Sequence, residues 1–284
     1  MNKYVIKKFG KDFKFTTEIN NKGSRPKRVV IDKNGRKAIF KYQKYNCSEA
    51  CSEKLSFEFA KVLGYECAHI ELAMDEKNTL GVLNYLFVDV TENQHTDAIA
   101  FIKKDNETPE QFYSLNNIKN SLDKLDNNLF FQFLKIMVFD ALVGEQDRHE
   151  ENWGIIKEKG VYKLSPLYDN GCNLLRDFYN DDNAQKYYSG VKDFDTYIAR
   201  SKSLIRKNDG SKYKHFELIE ELCEKYPQIM KEEINNLEQL NDKWIKNIVN
   251  KIPEGIITKI HKEHIIDYVT KRKNLMLQIV KDVR

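Results

Sequence analysis

The chain has no run of about 18 apolar residues, the length a membrane-crossing helix needs. Its first eight residues, Met1-Asn-Lys-Tyr-Val-Ile-Lys-Lys8, are too short and too charged for a signal peptide. Cysteine is scarce: Cys47, Cys51, Cys67, Cys172 and Cys223 are an odd number without a CxxC pair. That argues against a disulfide framework and favours reduced thiols in a cytoplasmic protein. An unconventional export route would leave no mark on either feature. Cys47 and Cys51 lie one helical turn apart, yet no second pair follows at zinc-site spacing. Charge of one sign is missing too. The 47 basic and 43 acidic residues leave only +4 and are interspersed, which points to neither a nucleic-acid partner nor a membrane surface. Repeats and low-complexity segments are absent. With 41% hydrophobic and 32% charged residues over 284 positions, the chain reads as soluble and globular, long enough for one large domain or two lobes.

The first ninety residues read as strands around one helix. Phe13 and Phe15 alternate with polar residues in Lys11–Thr17, and Arg28–Asp32 and Lys37–Tyr42 flank Asn34-Gly35, a two-residue hairpin signal. Asn46-Cys-Ser-Glu49 has the form of a capping box, opening a helix with Cys51, Leu55, Phe59 and Val62 on one stripe and Gly64 at its end. Strands are expected at His69–Met74 and Leu80–Val88. A polar stretch, Thr91–Thr108, then marks a boundary between residues 1–90 and a mostly helical part, 91–284. Leu129, Phe130, Phe133, Met137, Ala141 and Leu142 make a thick apolar helix face that stops at Gly144. Trp153–Ile156 and Val161–Leu164 read as a short hairpin, and from about Tyr213 the chain is helical. The outline is α+β: a small β-rich lobe followed by a larger helical one.

The stretch Asp140-Ala-Leu-Val-Gly-Glu-Gln-Asp-Arg-His-Glu-Glu-Asn-Trp-Gly-Ile-Ile156 crowds ionisable side chains onto one turn between two apolar runs. Asp147 and Asn152 stand five positions apart, the offset used by the catalytic loop of protein kinases, where the Asp takes the acceptor's proton and the Asn helps hold Mg²⁺. The order here is DRHxxN rather than HRDxxxxN. Phosphoryl transfer then requires a second acidic metal ligand, because one Asn cannot hold Mg²⁺ against polyphosphate. Asp169, in Ser165-Pro-Leu-Tyr-Asp-Asn-Gly171, follows the short hairpin 22 positions on. The same chemistry asks for a strand lysine and a helix glutamate. Lys41 closes the strand Ala38-Ile-Phe-Lys41, and Glu53 is assigned as its partner because Glu49 has the capping-box role. Asn21-Lys-Gly-Ser-Arg-Pro-Lys27, with Gly23 and Ser24, is the expected phosphate-covering turn.

Taken singly, each residue has an ordinary role open to it. Asp147–Arg148 reads as a surface ion pair, His149 as a hydrogen-bonded core histidine, Lys41 as a solvated strand end, and Asp169-Asn170-Gly171 as a β-turn. Their order along the chain is what those roles leave unexplained. A metal-dependent hydrolase could use Asp147, His149 and Glu150, but no HExxH or further clustered histidine supplies the remaining ligands. Two other readings keep the fold: a catalytically silent kinase-like binding module acting on an antitoxin-like partner, and a lipid or small-molecule kinase.

On Gly23-Ser-Arg-Pro-Lys27, Lys41, Ser52-Glu53 leading to Ala60 and Gly64, Gly144-x-x-Asp-Arg-His-x-x-Asn-Trp-Gly154 and Ser165–Gly171, the sequence resembles the HipA-like bacterial serine/threonine kinases. Within them it is similar to the smaller CtkA-type kinases. The resemblance covers residues 20 to 180 and, more loosely, the tail through Tyr226-Pro227 and Lys262–Lys273. It implies a two-lobed protein-kinase-like fold, ATP with Mg²⁺, and phosphorylation of protein Ser or Thr. By position it implies Asp147 as general base, Asn152 and Asp169 as metal ligands, Lys41 and Glu53 as the phosphate pair, His149 as support for the loop, and the backbone of Tyr85, Leu86 and Phe87 against adenine. Two departures stand out. The family carries Gly-Asn ahead of Asp-Arg-His where this chain has Gly144-Glu145, so a contact made by that amide is lost or replaced by a charge. Several HipA-type toxins inhibit themselves by phosphorylating a loop serine. Asn20 stands at that position here, with Ser24, Thr16 and Thr17 the nearby hydroxyls, so that autophosphorylation switch does not carry over directly. The extra N-terminal subdomain of longer HipA proteins has no room before residue 20.

Overall fold

The computed structural model describes residues 2–19, 27–87, 94–102, 112–178 and 181–282. Gly23 and Ser24, with the rest of the expected phosphate-covering turn up to Pro26, lie outside the described residues, as does half of the polar stretch 91–108.

A six-stranded sheet forms the β-rich part. Its strands are β1 (Lys7–Lys8), β2 (Phe13–Ile19), β3 (Lys27–Asp32), β4 (Lys37–Tyr42), β5 (Ile70–Met74) and β6 (Leu80–Tyr85), in the order β1-β5-β6-β4-β3-β2. All neighbours are antiparallel except β1 and β5. Side chains alternate across the pleat. Ala38 and Phe40 therefore enter an aromatic core with Phe13, Phe9 and Phe15, and Lys41 faces the other side. That side is covered by α1 (Glu49–Val62), whose stripe of Cys51, Leu55 and Phe59 is buried.

Two local expectations need correction. The β3–β4 loop has three residues rather than two: the Asp32 amide donates to the Arg36 carbonyl, and left-handed Gly35 donates to the Asp32 carbonyl. The buried Asp32 carboxylate accepts from the Asn34 and Arg36 amides and adds the third position. The capping box at Asn46 is also absent. Ser48 is the N-cap and makes no side-chain cap bond, so Glu49 is the first helical residue. Ser48 instead donates its amide to the Arg176 carbonyl, docking the helix start onto the segment after Asp169.

The helical part is built around α3 (Leu129–Val143), buried over most of its surface and ended by left-handed Gly144. A Cβ on Gly144 would lie 1.9 Å from the Tyr268 hydroxyl, so only glycine fits. Around α3 pack α2 (Leu115–Asp123), α6 (His215–Lys225), α7 (Pro227–Asn236) and α9 (Lys259–Asp282). Two short helices, α4 (Asp181–Tyr188) and α5 (Phe194–Ala199), lie between, and α8 (Asp242–Asn250) packs against α1. The predicted hairpin is β8 (Gly154–Glu158) with β9 (Val161–Leu164), extended by a strand the sequence did not show, β7 (Gln94–Asp97). A further small hairpin, β10 (Lys202–Arg206) and β11 (Lys212–Lys214), precedes the helical tail. No helix among the described residues is long and apolar enough to cross a membrane.

Candidate active site

The β-rich and helical parts meet where Lys41 leaves β4. Its ammonium sits 3.3 Å from Glu53 on α1 and 3.0 Å from Asp169. Glu53 is buried and Lys41 nearly so, while Asp169 is about one-third exposed. Burial opposes charge on all three groups. The two carboxylates outweigh it at Lys41 and hold the ammonium above its ordinary range, and Lys41 in turn holds Asp169 below the usual carboxylate range. Glu53 goes the other way: burial pushes it up to about 7 despite Lys41, and its Oε2 is buried without a hydrogen-bond donor among the described residues. Lys41 thus favours the charged form of Asp169, while burial disfavours charge on Glu53.

Asp169 stands at φ 56°, left-handed backbone that few side chains adopt outside functional turns. Gly171 has a different reason to be glycine: a Cβ there would come within 2.8 Å of the Glu49 side chain. The chain beyond Asp169 can therefore pass directly under the start of α1.

Asp147 is exposed on the loop after Gly144. Its carbonyl accepts the His149 amide at 2.8 Å and Asn152 Nδ2 at 2.8 Å. Because Nδ2 is committed there, Oδ1 is the atom of the Asn152 amide left to accept or to ligate. Partly buried His149 turns its Nδ1 onto the Glu151 amide and so braces the loop. Glu151 is exposed, and Glu150 is half-buried.

Arg148, by contrast, is no surface ion pair. Its guanidinium is 2% exposed and makes a forked contact with Asp140 of α3. It also donates to the Asn152 and Tyr168 carbonyls and to Asn170 Oδ1. One planar cation thereby joins the Asp147–Asn152 loop to both sides of Asp169. The sequence held a signal for this: Asp140 is the one acid inside an otherwise apolar helical run, and a buried acid needs a cation.

Glu145 is equally buried and is not a bare charge replacing a lost contact. Its Oε1 accepts the Asp147 amide at 2.9 Å, its Oε2 accepts Asn173 Nδ2 at 3.0 Å, and burial pushes its carboxyl up to about 8. Asn173 did not stand out in the sequence, and Asn170 read as part of a β-turn.

Of the residues expected to face adenine, two have their amides taken. Tyr85 N–H donates to the His69 carbonyl and Leu86 N–H to the Lys37 carbonyl, so both are bound within the sheet. Phe87 packs its ring on Tyr168, centroids 5.6 Å apart, and both rings meet His95. The segment that follows β6 is thereby tied to the residue preceding Asp169. The structure thus gathers Lys41, Glu53 and Asp169 directly, and Asp147, His149 and Asn152 on an adjoining loop joined to them by Arg148.

A divalent cation fits this donor set in one way. Among the described residues no three His, Cys, Asp or Glu side chains converge, so a closed protein cage is not available. Asp169 and Asn152 Oδ1 supply hard oxygen ligands, the partial set that Mg²⁺ accepts when phosphate oxygens and waters complete its shell.

The family model of the HipA-like C-terminal domain matches residues 19–244. The serine/threonine-protein kinase CtkA of Helicobacter pylori is 25% identical over 182 residues, covering 57% of this chain and 52% of that protein. The chain thus spans about half the length of the curated relative it matches. The crystal structure of a Helicobacter pylori proinflammatory kinase CtkA superposes with a TM-score of 0.78 at 17% identity, covering 95% of each chain. HipA of Shewanella oneidensis, solved with HipB and operator DNA, gives 0.57 at 12% identity, covering 100% of this chain and 67% of that one. A Golgi casein kinase gives 0.52 at 14%, covering 99% and 73%. The fold is that of the protein-kinase-like proteins, a β-rich lobe joined to a helical one.

Proposed function

Because the chain belongs to the HipA-like C-terminal domain family, we propose that it is an ATP-dependent protein serine/threonine kinase. The observation that carries the reading is Lys41, a buried ammonium shared by a helix glutamate and the Asp169 loop. A phosphate-binding lysine needs such a setting, because its charge must be kept and its position set by groups that do not leave with the nucleotide.

On this reading residues 1–90 hold the nucleotide and residues 91–284 present the acceptor. Lys41 binds phosphate oxygens, with Glu53 fixing its reach. With the Tyr85 and Leu86 amides held by the sheet, the Phe87 backbone is the part of this segment assigned to adenine. Asp169 and Asn152 Oδ1 would hold Mg²⁺, which when bound neutralises the polyphosphate. Asp147 accepts the proton of the acceptor hydroxyl as its oxygen bonds to the γ-phosphorus and the bond to the β-bridging oxygen breaks. Arg148 and His149 hold the loop in register for that transfer. The acceptor is a protein Ser or Thr, and a small antitoxin-like protein is the partner to seek first, the kinase itself making no direct contact with nucleic acid or membrane.

The test is transfer of labelled γ-phosphate from ATP by the full chain and by Asp147→Asn, Asp169→Asn and Lys41→Met. Each variant should lose about 10²–10⁴-fold, the range for removing a positioned acid–base or charged group. Undiminished transfer in both Asp variants removes the assignment. Stabilisation by Mg-ATP with no transfer from the unaltered chain identifies a silent binding module instead. Mass spectrometry of the same sample tests Ser24 for autophosphorylation.

A further inference from the structure

Glu145 follows the left-handed turn at Gly144, donates its amide to the Asp140 carbonyl at 2.9 Å, and so turns its side chain inward beneath the Asp147 loop. The side chain is 1% exposed and touches two separate parts of the site. Oε1 accepts the Asp147 amide at 2.9 Å. Since the Asp147 carbonyl already accepts from His149 and Asn152, Glu145 completes the pinning of that residue on both sides of its Cα. Oε2 accepts Asn173 Nδ2, whose amide also meets Ser56 Oγ and the Asn170 carbonyl, each at 3.0 Å. The Asn173 carbonyl in turn accepts Ser52 Oγ at 3.0 Å. Ser52 and Ser56 flank Glu53 on α1. From behind, His215 Nε2 donates to the Glu145 carbonyl at 2.8 Å, anchoring the residue to α6.

We infer that Glu145 is a positioning residue that holds Asp147 by its amide and ties that loop, through Asn173, to the helix bearing Glu53. The inference rests on the kinase reading for its catalytic meaning, though the physical coupling stands without it. Every link is a buried or partly buried hydrogen bond, and a small side chain at 145 would leave the Asp147 amide without its acceptor and take from Asn173 Nδ2 the one that joins it to the Asp147 loop. The proton-accepting Asp147 and the lysine-orienting Glu53 then cease to be held in one frame. Glutamine keeps an acceptor oxygen for the Asp147 amide. Its NH₂ then faces Asn173 Nδ2, donor against donor, so the link to Asn173 is not restored.

The experiment compares the unaltered full chain with Glu145→Ala and Glu145→Gln. Steady-state phosphate transfer and amide hydrogen exchange are measured together. Glu145→Ala should lower kcat about tenfold or more, the loss of one buried hydrogen bond at the base, with KM for ATP within about twofold because nothing in contact with nucleotide is removed. Glu145→Gln should stay within about threefold of the unaltered chain, since the amide keeps the acceptor atom. Exchange should accelerate in Glu145→Ala both at the Asp147 amide and across Ser52–Phe57, and in Glu145→Gln only across Ser52–Phe57. Unchanged protection at Asp147 overturns the inference, as does a Gln variant no better than Ala, or a kcat loss matched by an equal rise in KM. Acceleration at Asp147 with α1 untouched overturns the coupling. If Glu145→Ala does not fold, Glu145→Asp, one methylene too short to reach both partners, takes its place with the same expected results. If the unaltered chain transfers no phosphate, the kinase reading fails and hydrogen exchange alone decides the role of Glu145.

Discussion

Replacing Arg148 with alanine should cost this protein a large part of its stability. The guanidinium and the Asp140 carboxylate are 2% and 4% exposed, so solvent screens neither. Removing one partner leaves the other charge buried and alone, a change worth roughly 3–5 kcal/mol in comparable pairs. Arg148 also serves the Asn152 carbonyl, the Tyr168 carbonyl and Asn170 Oδ1, each contributing about 1 kcal/mol net. The sum for Arg148→Ala is therefore at least about 4 kcal/mol, set against the 5–15 kcal/mol that holds a typical domain together. Asp140→Ala should cost less, about 3 kcal/mol, because the guanidinium keeps its three other acceptors. The double variant should fall short of the summed single costs by about 2 kcal/mol, since no lone buried charge then remains. Urea unfolding followed by the fluorescence of Trp153 suits the measurement: that indole is buried and donates to the Tyr113 hydroxyl, which donates to the Arg148 carbonyl. A cost below about 1 kcal/mol for Arg148→Ala, or strict additivity in the cycle, would refute the reasoning.

Two further outcomes follow from the same packing. Gly144→Ala forces a Cβ to within 1.9 Å of the Tyr268 hydroxyl at a φ of +70°, so the melting temperature should fall by an amount equivalent to about 2–5 kcal/mol, and an unchanged Tm would contradict the geometry. His215 is 1% exposed beside Arg272 and Ser201, and burial with that nearby cation lowers its pKa to about 3. The unfolded chain takes up this proton near pH 6.5 and the folded one resists it, so the contribution is present above pH 6.5 and is lost as pH falls toward 3. Between pH 6.5 and 5 the loss is about 2 kcal/mol, and His215→Gln should show a correspondingly shallower decline in urea midpoint. Equal slopes would assign the acid sensitivity elsewhere.

Much of the site was legible before any coordinates, because kinase-like chemistry imposes both residue types and chain order. Lys41 could be placed by its position at the close of a strand and Asn152 by its offset from Asp147, while Glu53 was reached by setting Glu49 aside for a cap that the helix does not have. What escaped were groups whose meaning depends on a distant partner. Arg148 read as a solvated charge because nothing within a few residues shows that Asp140, two helical turns back, is buried beside it. Glu49 matched a capping pattern, yet the helix begins two residues later than that pattern requires, as Ser48 docks onto Arg176. β7 was missed because four mostly polar residues, Gln94–Asp97, pair with β8 across more than fifty positions of chain.

Local physics, then, was enough for most of the elements, the two-part architecture and the order of the chemical groups, since periodicity, turn glycines and motif spacing act within a few residues. Tertiary structure alone decided which charges are buried and whom they serve. The cost of burying Asp140, Glu145 or Arg148 is set by partners that the sequence lists far away and only folding brings within 3 Å or so.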